Sequence, residues 1–412
     1  MNKTLSDYEQ VVGPDAISQL RQLSRDLKGA SVVHVNSTRE GGGVAEILSW
    51  LNPLMGELGL EASWEVIEGH PEFFHVTKAF HNGLQGTDLP LTRRMLDCYE
   101  ETVAANAERL RPILEEADFV FIHDPQPAFL LDLCPNRRGR WIWRCHIDAS
   151  HPVRRVWNYL RKRVAGYDAS IFSMPEFAQR LDHPQFIIAP SIDPLAEKNQ
   201  DLPETEIDAT LARFGISKDK PILTQVSRFD RFKDPVGVIE AFMLLNGTVD
   251  AQLVLAGGGA TDDPEGEAVL SEVRQAAQGS EDIHVLLLPP DAHRTINALQ
   301  RASTIILQKS LQEGFGLTVT EALWKGKPVV GGNVGGIKLQ IHNHHTGFLV
   351  DTPEGAALRL RELLRRPSVM DEMGATARRF VTENFLLNRH LREYLTLMLG
   401  LRRGLANHLV AN

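Results

Sequence analysis

The sequence predicts an α/β protein built from two consecutive Rossmann-like domains. Short runs of β-branched and apolar residues alternate with longer amphipathic stretches, the pattern of parallel sheets covered by helices. The alternation lapses around residues 194–220, where PLAEKNQDLPETEID is polar and proline-bearing, and then starts afresh. The 412 residues suit two or three domains at roughly 100–200 residues each.

In the first half, strands are expected at SVVHVNS (31–37), SWEVIEG (63–69), FVFIHDP (119–125), WIWRCHID (141–148), ASIFSM (169–174) and FIIAPSID (186–193). Between the first two lies the helical pattern VAEILSWLNPLMGEL (44–58), which Pro53 should kink or break. The polar stretch reads as a linker followed by a short helix. A second strand series follows: PILTQVSR (221–228), AQLVLAGGG (251–259), IHVLLLPP (283–290), STIILQKS (303–310), KPVVGGN (327–333) and the shorter GFLVD (347–351). From Ser368 onward the chain reads as entirely helical. The expected division is 1–194, 195–385 and a terminal helix, 386–412, packing back towards the first domain. The default ligand site of such an arrangement is the cleft between its domains.

A net charge of -9 argues against nucleic acid, whose phosphates need a basic face. No run approaches the roughly 18 apolar residues that span a bilayer, and MNKTLSDYEQVVG has no apolar signal core. Cys98, Cys134 and Cys145 follow neither a disulfide framework nor a metal-ligand spacing. The expectation is a soluble, cytoplasmic protein without a membrane or nucleic-acid partner; a homodimer stays open.

Four clusters fall at the C-terminal ends of expected strands, where open α/β sheets bind ligands. In NSTREGGGVAEIL, Gly41, Gly42 and Gly43 form a turn into a helix. Such a turn admits a ligand close to the backbone, and the helix start offers free N–H groups. The pattern is not a dinucleotide fingerprint, and a plain strand–helix turn explains it equally well. In QVSRFDRFKDP, Arg228 and Lys233 stand where two cations hold a diphosphate and its departing charge; read alone, they are surface charges. In QEGFGLTVTEALWKGKPVV, Glu313 precedes a helix starting near Leu317 and Glu321 lies about one turn inside it. The plainer alternatives are a capping carboxylate and a solvated helix residue, but the apolar surroundings weaken both. His123 and Asp124 in FIHDPQP, with His146 and Asp148 in WRCHIDAS, suit the paired donors and acceptors of sugar hydroxyls. A metal lacks supporting spacing there.

Taken together, the GGG turn, Arg228-x4-Lys233 and Glu313-x7-Glu321 resemble the retaining GT-B glycosyltransferases of family 4. The stretches HVNST, EFFHVTKAFHN, HDPQPA, WRCHID, PSIDPLAEKN, EGFGLTVTEA and GGIKLQI are similar to its trehalose-synthase branch, which joins nucleotide-activated glucose to free glucose. The resemblance covers nearly the whole chain. It implies a GT-B architecture, two Rossmann-like domains facing a central cleft with a C-terminal helical tail. It also implies that Glu313 binds the donor glucose and Glu321 the nucleotide ribose. Arg228 and Lys233 would hold the diphosphate with the backbone at Gly42, Gly43, Phe315, Gly316 and Leu317. His146 would contact the donor sugar, with Asp124, His123, Asp148 and Glu40 on the acceptor side. Arg39-Glu40 before the glycines departs from the pattern, as does the glycine-rich AGGGATDDPEG, and the latter puts the base contact in doubt. The implied substrates are NDP-glucose, glucose and trehalose. No cofactor is required, and Mg2+ is not indicated, although Asp262 and Asp263 mimic a metal motif.

The implied chemistry is NDP-glucose plus glucose giving α,α-trehalose and NDP with retention. A retaining glycosidase would need a carboxylate nucleophile, and none is evident; the resemblance implies a front-face route instead. Both glutamates are then expected to find partners in ligand hydroxyls. Three rivals stand beside this reading. One is a trehalose phosphorylase. A trehalose-6-phosphate synthase would need a basic cluster such as Arg39 or Arg154, Arg155 and Arg161. The third is a non-catalytic sugar or nucleotide sensor on the same scaffold.

Overall fold

The structure, a computed structural model, describes residues 3–40, 42–245, 247–258 and 264–404. It divides into two units, Met1–Pro190 with Leu387–Asn412, and Ser191–Leu386. Among the described residues each unit holds one six-stranded parallel sheet.

The first unit opens with helices α1 (Leu5–Val12) and α2 (Pro14–Ser24), which sequence periodicity had not singled out. Its strands are β1 (Ser31–Asn36), β2 (Glu61–Val66), β3 (Phe119–His123), β4 (Arg140–Arg144), β5 (Ala169–Phe172) and β6 (Gln185–Ile187), in the order β2-β1-β3-β4-β5-β6. Each is shorter than its apolar run or shifted, because the polar strand ends belong to loops. The expected strand 186–193 contracts to three residues, since Pro190 supplies no ladder donor. Helices α3 (Gly42–Glu57), α4 (Pro71–Leu84), α5 (Arg93–Glu116) and α6 (Arg154–Val164) connect the strands. The expected break at Pro53 does not occur. Proline removes one backbone donor, but the buried Leu51, Leu54 and Met55 around it hold α3 against the sheet.

The second unit contains α7 (Glu204–Arg213), β7 (Ile222–Val226), α8 (Pro235–Met243), β8 (Gln252–Gly257), α9 (Pro264–Ala276), β9 (Ile283–Leu287) and α10 (His293–Ala302). It continues with β10 (Ile305–Gln308), α11 (Leu317–Trp324), β11 (Val329–Gly332), α12 (Ile337–Gln340), β12 (Gly347–Val350), α13 (Pro353–Leu364) and α14 (Pro367–Asn384). Its strand order is β12-β11-β10-β7-β8-β9. Strand alternation splits the core across both faces. Leu253 and Leu255 of β8 pack with Val238 and Phe242 of α8, while Val254 packs with Ile207 of α7 and Leu299 of α10.

The tail is two helices rather than one. Helix α14 ends at Asn384, and α15 (Leu387–Arg402) begins after Phe385 and Leu386. Helix α15 belongs to the first unit. It buries Leu387, Leu391, Tyr394, Leu395 and Met398 at helical spacing and packs on α2 and α3. The Arg389 guanidinium donates to the carbonyls of Ala189 and Pro190 at 2.8 and 2.9 Å. The segments by which the chain enters and leaves the second unit lie side by side, Ile192 N–H donating to Phe385 C=O at 2.9 Å. No helix among the described residues is long and apolar enough to cross a membrane.

Candidate active site

In each sheet the connection order reverses beside the first strand, leaving a crevice between β1 and β3 in one unit and between β7 and β10 in the other. Ligands of open α/β sheets bind in that position.

In the second unit, β7 leads into Arg228 and a short 3-10 turn, Arg231–Lys233. The buried Gln225 fixes that turn by donating to Lys233 C=O at 2.7 Å. Asp234 follows in the left-handed region (φ 51), caps α8 through Gly237 N–H at 3.2 Å, and pairs with Lys309. Strand β10 delivers Ser310 and Glu313 from the other side. Lys233 Nζ meets Glu313 Oε2 at 2.6 Å, with side chains only 18% and 10% exposed. Ser310 Oγ adds a weaker bond to the same oxygen at 3.3 Å. The pair thus bridges the two loops flanking the crevice. Arg228 is not part of it: its side chain is 64% exposed and reaches Asp230 at 3.3 Å.

The backbone after Glu313 is held by close approach. Gly335 has φ 45, and a Cβ there would stand 1.7 Å from the Glu313 carbonyl oxygen. Gly336 donates to Gly314 C=O at 3.2 Å. Gln340 Nε2 donates to Phe315 C=O at 2.6 Å, and Thr320 Oγ1 donates to Gln340 Oε1 at 2.6 Å. Gly316 (φ 83) starts α11 without a side-chain cap, leaving the first turn uncapped by any side chain. The α11 residue Glu321 is 1% exposed, which excludes a solvated role. Its Oε1 lies 3.4 Å from Lys198 Nζ, and its Oε2 is buried with no hydrogen-bond partner. The expectation that ligand hydroxyls alone would answer the two carboxylates is therefore corrected: Lys233 and Lys198 supply cations to both.

In the first unit, Gly42 has φ 80 and begins α3 directly after the β1 loop, with Gly43 behind it. Glu40 is exposed and its N–H donates to Thr38 Oγ1 at 3.3 Å. Arg39 lies over the Trp64 ring at 4.5 Å and donates to Trp64 C=O at 2.9 Å. Asn36 shapes this loop, accepting from Trp64 Nε1 at 2.9 Å and donating to Thr38 C=O at 2.8 Å. Gly41, Asp262 and Asp263 lie outside the described residues, as does the middle, 259–263, of the glycine-rich stretch tied to the base contact.

The strand ends of β3 and β4 are more tightly engaged than the sequence suggested. His123 is buried and has both ring nitrogens occupied, Nε2 by His34 Nδ1 and Nδ1 by His146 Nε2, each at 3.0 Å. It has no ring nitrogen left for an acceptor hydroxyl, which corrects its expected direct contact. Asp124 sits in the left-handed region (φ 63), a conformation asparagine and aspartate tolerate best. One carboxylate oxygen accepts from His146 N–H at 2.7 Å. Burial pushes Asp124 up to about 7, against the opposing His146 N–H and Arg144. Asp148 accepts from Ser150 N–H at 3.0 Å and Ser150 Oγ at 2.6 Å, a local turn that commits one of its oxygens. His146 is partly exposed, at the outer end of the histidine row.

Sequence reasoning missed His34, Arg144, Lys198 and Gln340. Arg144 is fully buried on β4, and none of its three guanidinium nitrogens has a hydrogen-bond partner. Burial holds His34 down to about 3 and pushes His123 and His146 well below the usual histidine range, with Arg144 adding to the latter two. An arginine within the apolar strand WIWRC was the available signal. Away from these strand ends, Cys98 lies with His70 and Glu72, their potential ligand atoms within 4.8 Å of one another, although Arg94 already engages Glu72 at 3.0 Å.

Residues 34–179 match the family model for the trehalose synthase N-terminal domain, and residues 206–380 match that for glycosyl transferases group 1. A trehalose synthase of Pyrococcus horikoshii is 46% identical over 96% of both chains. A trehalose phosphorylase of Pleurotus pulmonarius is 28% identical over 92% of this chain and 58% of its own. Among solved structures, sucrose-phosphate synthase from Thermosynechococcus elongatus superposes with a TM-score of 0.72 at 15% identity, covering 91% of this chain and 100% of that one. Two parallel Rossmann-like sheets, the helical C-terminus and these matches make the protein a glycosyltransferase of GT-B fold. Within that class, the chain belongs to the trehalose synthase family.

Proposed function

We propose that the enzyme is a retaining glucosyltransferase that makes α,α-trehalose from a nucleoside-diphosphate glucose and free glucose. The observation carrying this reading is the Lys233–Glu313 pair at the β7/β10 crevice, a cation and a carboxylate at the position where open sheets take nucleotides. A donor diphosphate competes for Lys233, because phosphate oxygens are strong charge-assisted acceptors. Once Lys233 turns to phosphate, Glu313 is released to accept from the donor sugar hydroxyls. Arg228, exposed on the same loop, adds a second cation. The uncapped start of α11 after Phe315 and Gly316 offers backbone N–H groups to the same charge. The unpartnered Oε2 of Glu321 supports a ribose hydroxyl as its ligand.

Acceptor binding is assigned to the first unit, with Asp124 the leading carboxylate and Glu40 and Asp148 in support. His146 contacts the donor sugar, and Gly42 and Gly43 let its phosphates approach the backbone. In the reaction, the acceptor C1 hydroxyl forms a bond to the donor C1 on the face from which the diphosphate leaves. The donor C1–O bond to the diphosphate breaks with its electron pair going to the departing oxygen, and the diphosphate takes the acceptor proton. Catalysis then rests on leaving-group stabilisation and positioning. No metal enters this scheme, and the protein is assigned to the cytoplasm.

The test is a product assay with ADP-, UDP- and GDP-glucose, each against glucose and glucose 6-phosphate. Trehalose from glucose with at least one donor is expected. Disaccharide only from glucose 6-phosphate would replace the reading with a trehalose-6-phosphate synthase. In that case the phosphate needs a basic cluster, yet Arg155 is paired with Asp88 at 2.5 Å and Arg39 is stacked on Trp64. Phosphate-dependent breakdown of trehalose to glucose 1-phosphate would favour the phosphorylase. No turnover with any donor would leave the sensor.

A further inference from the structure

The row His34–His123–His146 runs from the buried interior of β1 to the partly exposed end of β4, joined by two ring–ring hydrogen bonds of 3.0 Å. Burial keeps all three rings neutral, with Arg144 adding to it at His123 and His146, so each carries a single ring proton. Two nitrogen–nitrogen bonds among three neutral imidazoles allow only two proton arrangements. Either every ring carries its proton on Nδ1, or every ring carries it on Nε2; any mixture sets two donors or two lone pairs face to face. The inner end breaks the tie. His34 Nε2 is buried with no hydrogen-bond partner, and an orphaned buried donor is less tolerable than an orphaned acceptor. With the protons on Nδ1, the inner end leaves only a bare lone pair, and the outer end presents His146 Nδ1–H.

We propose that His34, acting through His123, sets the ring tautomer of His146, so that the three rings hold their protons as one unit with every proton on Nδ1. This order runs against the mild preference of free histidine for Nε2–H, so the default outcome and the proposed one differ. His34 and His123 are positioning residues. Asp124 completes the device by accepting from the His146 backbone N–H at 2.7 Å, so ring and backbone are fixed separately. The functional consequence rests on the donor contact proposed for His146: its Nδ1–H would then be a fixed donor to a sugar hydroxyl.

The experiment is long-range 1H–15N correlation of the full chain labelled with [15N]histidine near neutral pH. Signals are assigned by their loss in His34→Phe, His123→Asn and His146→Asn. All three wild-type rings are expected as Nδ1–H. His34→Phe keeps the ring stack on Phe121, now at 4.8 Å, and makes His123 Nε2 the orphaned inner end, so His146 is expected to stay Nδ1–H; His34→Glu, whose carboxylate accepts from His123 Nε2–H, is expected to turn both remaining rings to Nε2–H. Unlike tautomers among the three wild-type rings, or all three on Nε2, overturns the proposal even if no variant folds. An unmoved His146 signal in His34→Glu does the same. In kinetics, His34→Glu is expected to raise the donor KM by about tenfold with little change in kcat. A shifted tautomer with an unchanged donor KM leaves the relay standing and removes the donor contact assigned to His146.

Discussion

Replacing Lys233 with methionine isolates the ion pair on which the functional reading rests. At 2.6 Å, with the side chains 18% and 10% exposed, the pair lies between a surface bridge, worth at most about 1 kcal/mol, and a sealed one, whose breaking costs about 3–5 kcal/mol. Lys233→Met leaves Glu313 with the Ser310 hydroxyl at 3.3 Å, so a loss of about 2–3 kcal/mol is expected at neutral pH. The double variant Lys233→Met/Glu313→Gln removes both charges and should recover all but about 1 kcal/mol. With Glu313→Gln alone costing about 0.5 kcal/mol, the coupling energy of the cycle is about 2 kcal/mol. The assay is urea unfolding followed by 19F signals of fluorotryptophan. Of the six tryptophans, Trp50, Trp64, Trp141, Trp143 and Trp157 lie in the first unit, so Trp324 reports on the second. A coupling within about 0.5 kcal/mol of zero would show a surface-type contact and remove the argument that a diphosphate must displace Glu313 from Lys233.

Three further outcomes are expected. Glu313→Gln should lower turnover roughly 10²–10³-fold with an unchanged circular dichroism spectrum, and near-normal turnover would sink its role at the donor sugar. Stability of the first unit should fall on acidification. His34 titrates near 3 in the fold and about 6.5 unfolded, so the unfolded chain binds the extra proton and each such ring costs up to about 1.4 kcal/mol per pH unit below 6.5. Asp124, pushed up to about 7, works the other way, losing stability as pH rises from about 4 to 7. Urea midpoints between about pH 7 and 4 should therefore flatten in His34→Phe and steepen in Asp124→Asn; unaltered slopes would contradict the buried neutral row. Finally, Gly335→Ala, whose Cβ would meet the Glu313 carbonyl oxygen at 1.7 Å, should cost about 3 kcal/mol or more. Gly42→Ala, also at positive φ but in open space, should cost only about 1 kcal/mol; equal thermal shifts would refute the crowding argument.

The fold was legible because both sheets are parallel and their inner strands are buried, so each of those announces itself as an apolar run bounded by polar residues. The loops after β7 and β10 were legible for the same reason: charge at a buried strand end is conspicuous. Pairings were not. Lys198 and Glu321 are far apart in sequence, and nothing local in either signals the other. His34 and Arg144 look like polar interruptions of strands until β1, β3 and β4 are set side by side. Helix α3 shows the opposite failure, where a local rule about proline yielded to packing by Leu51, Leu54 and Met55.

The paired segments at Ile192 and Phe385 make the second unit an insert within the first, with its two ends adjacent. During synthesis, the first unit must wait for α15 until the whole of Ser191–Leu386 has emerged. At roughly 5–20 residues per second, that delay is on the order of ten to forty seconds. Through it, α2 and α3 lack the helix that packs on them, and Phe121 of β3 lacks the Tyr394 ring that stacks on it at 5.0 Å. The nascent first unit is then a client for chaperones, whereas the insert, closed by its own adjacent ends, can finish folding as soon as it leaves the ribosome.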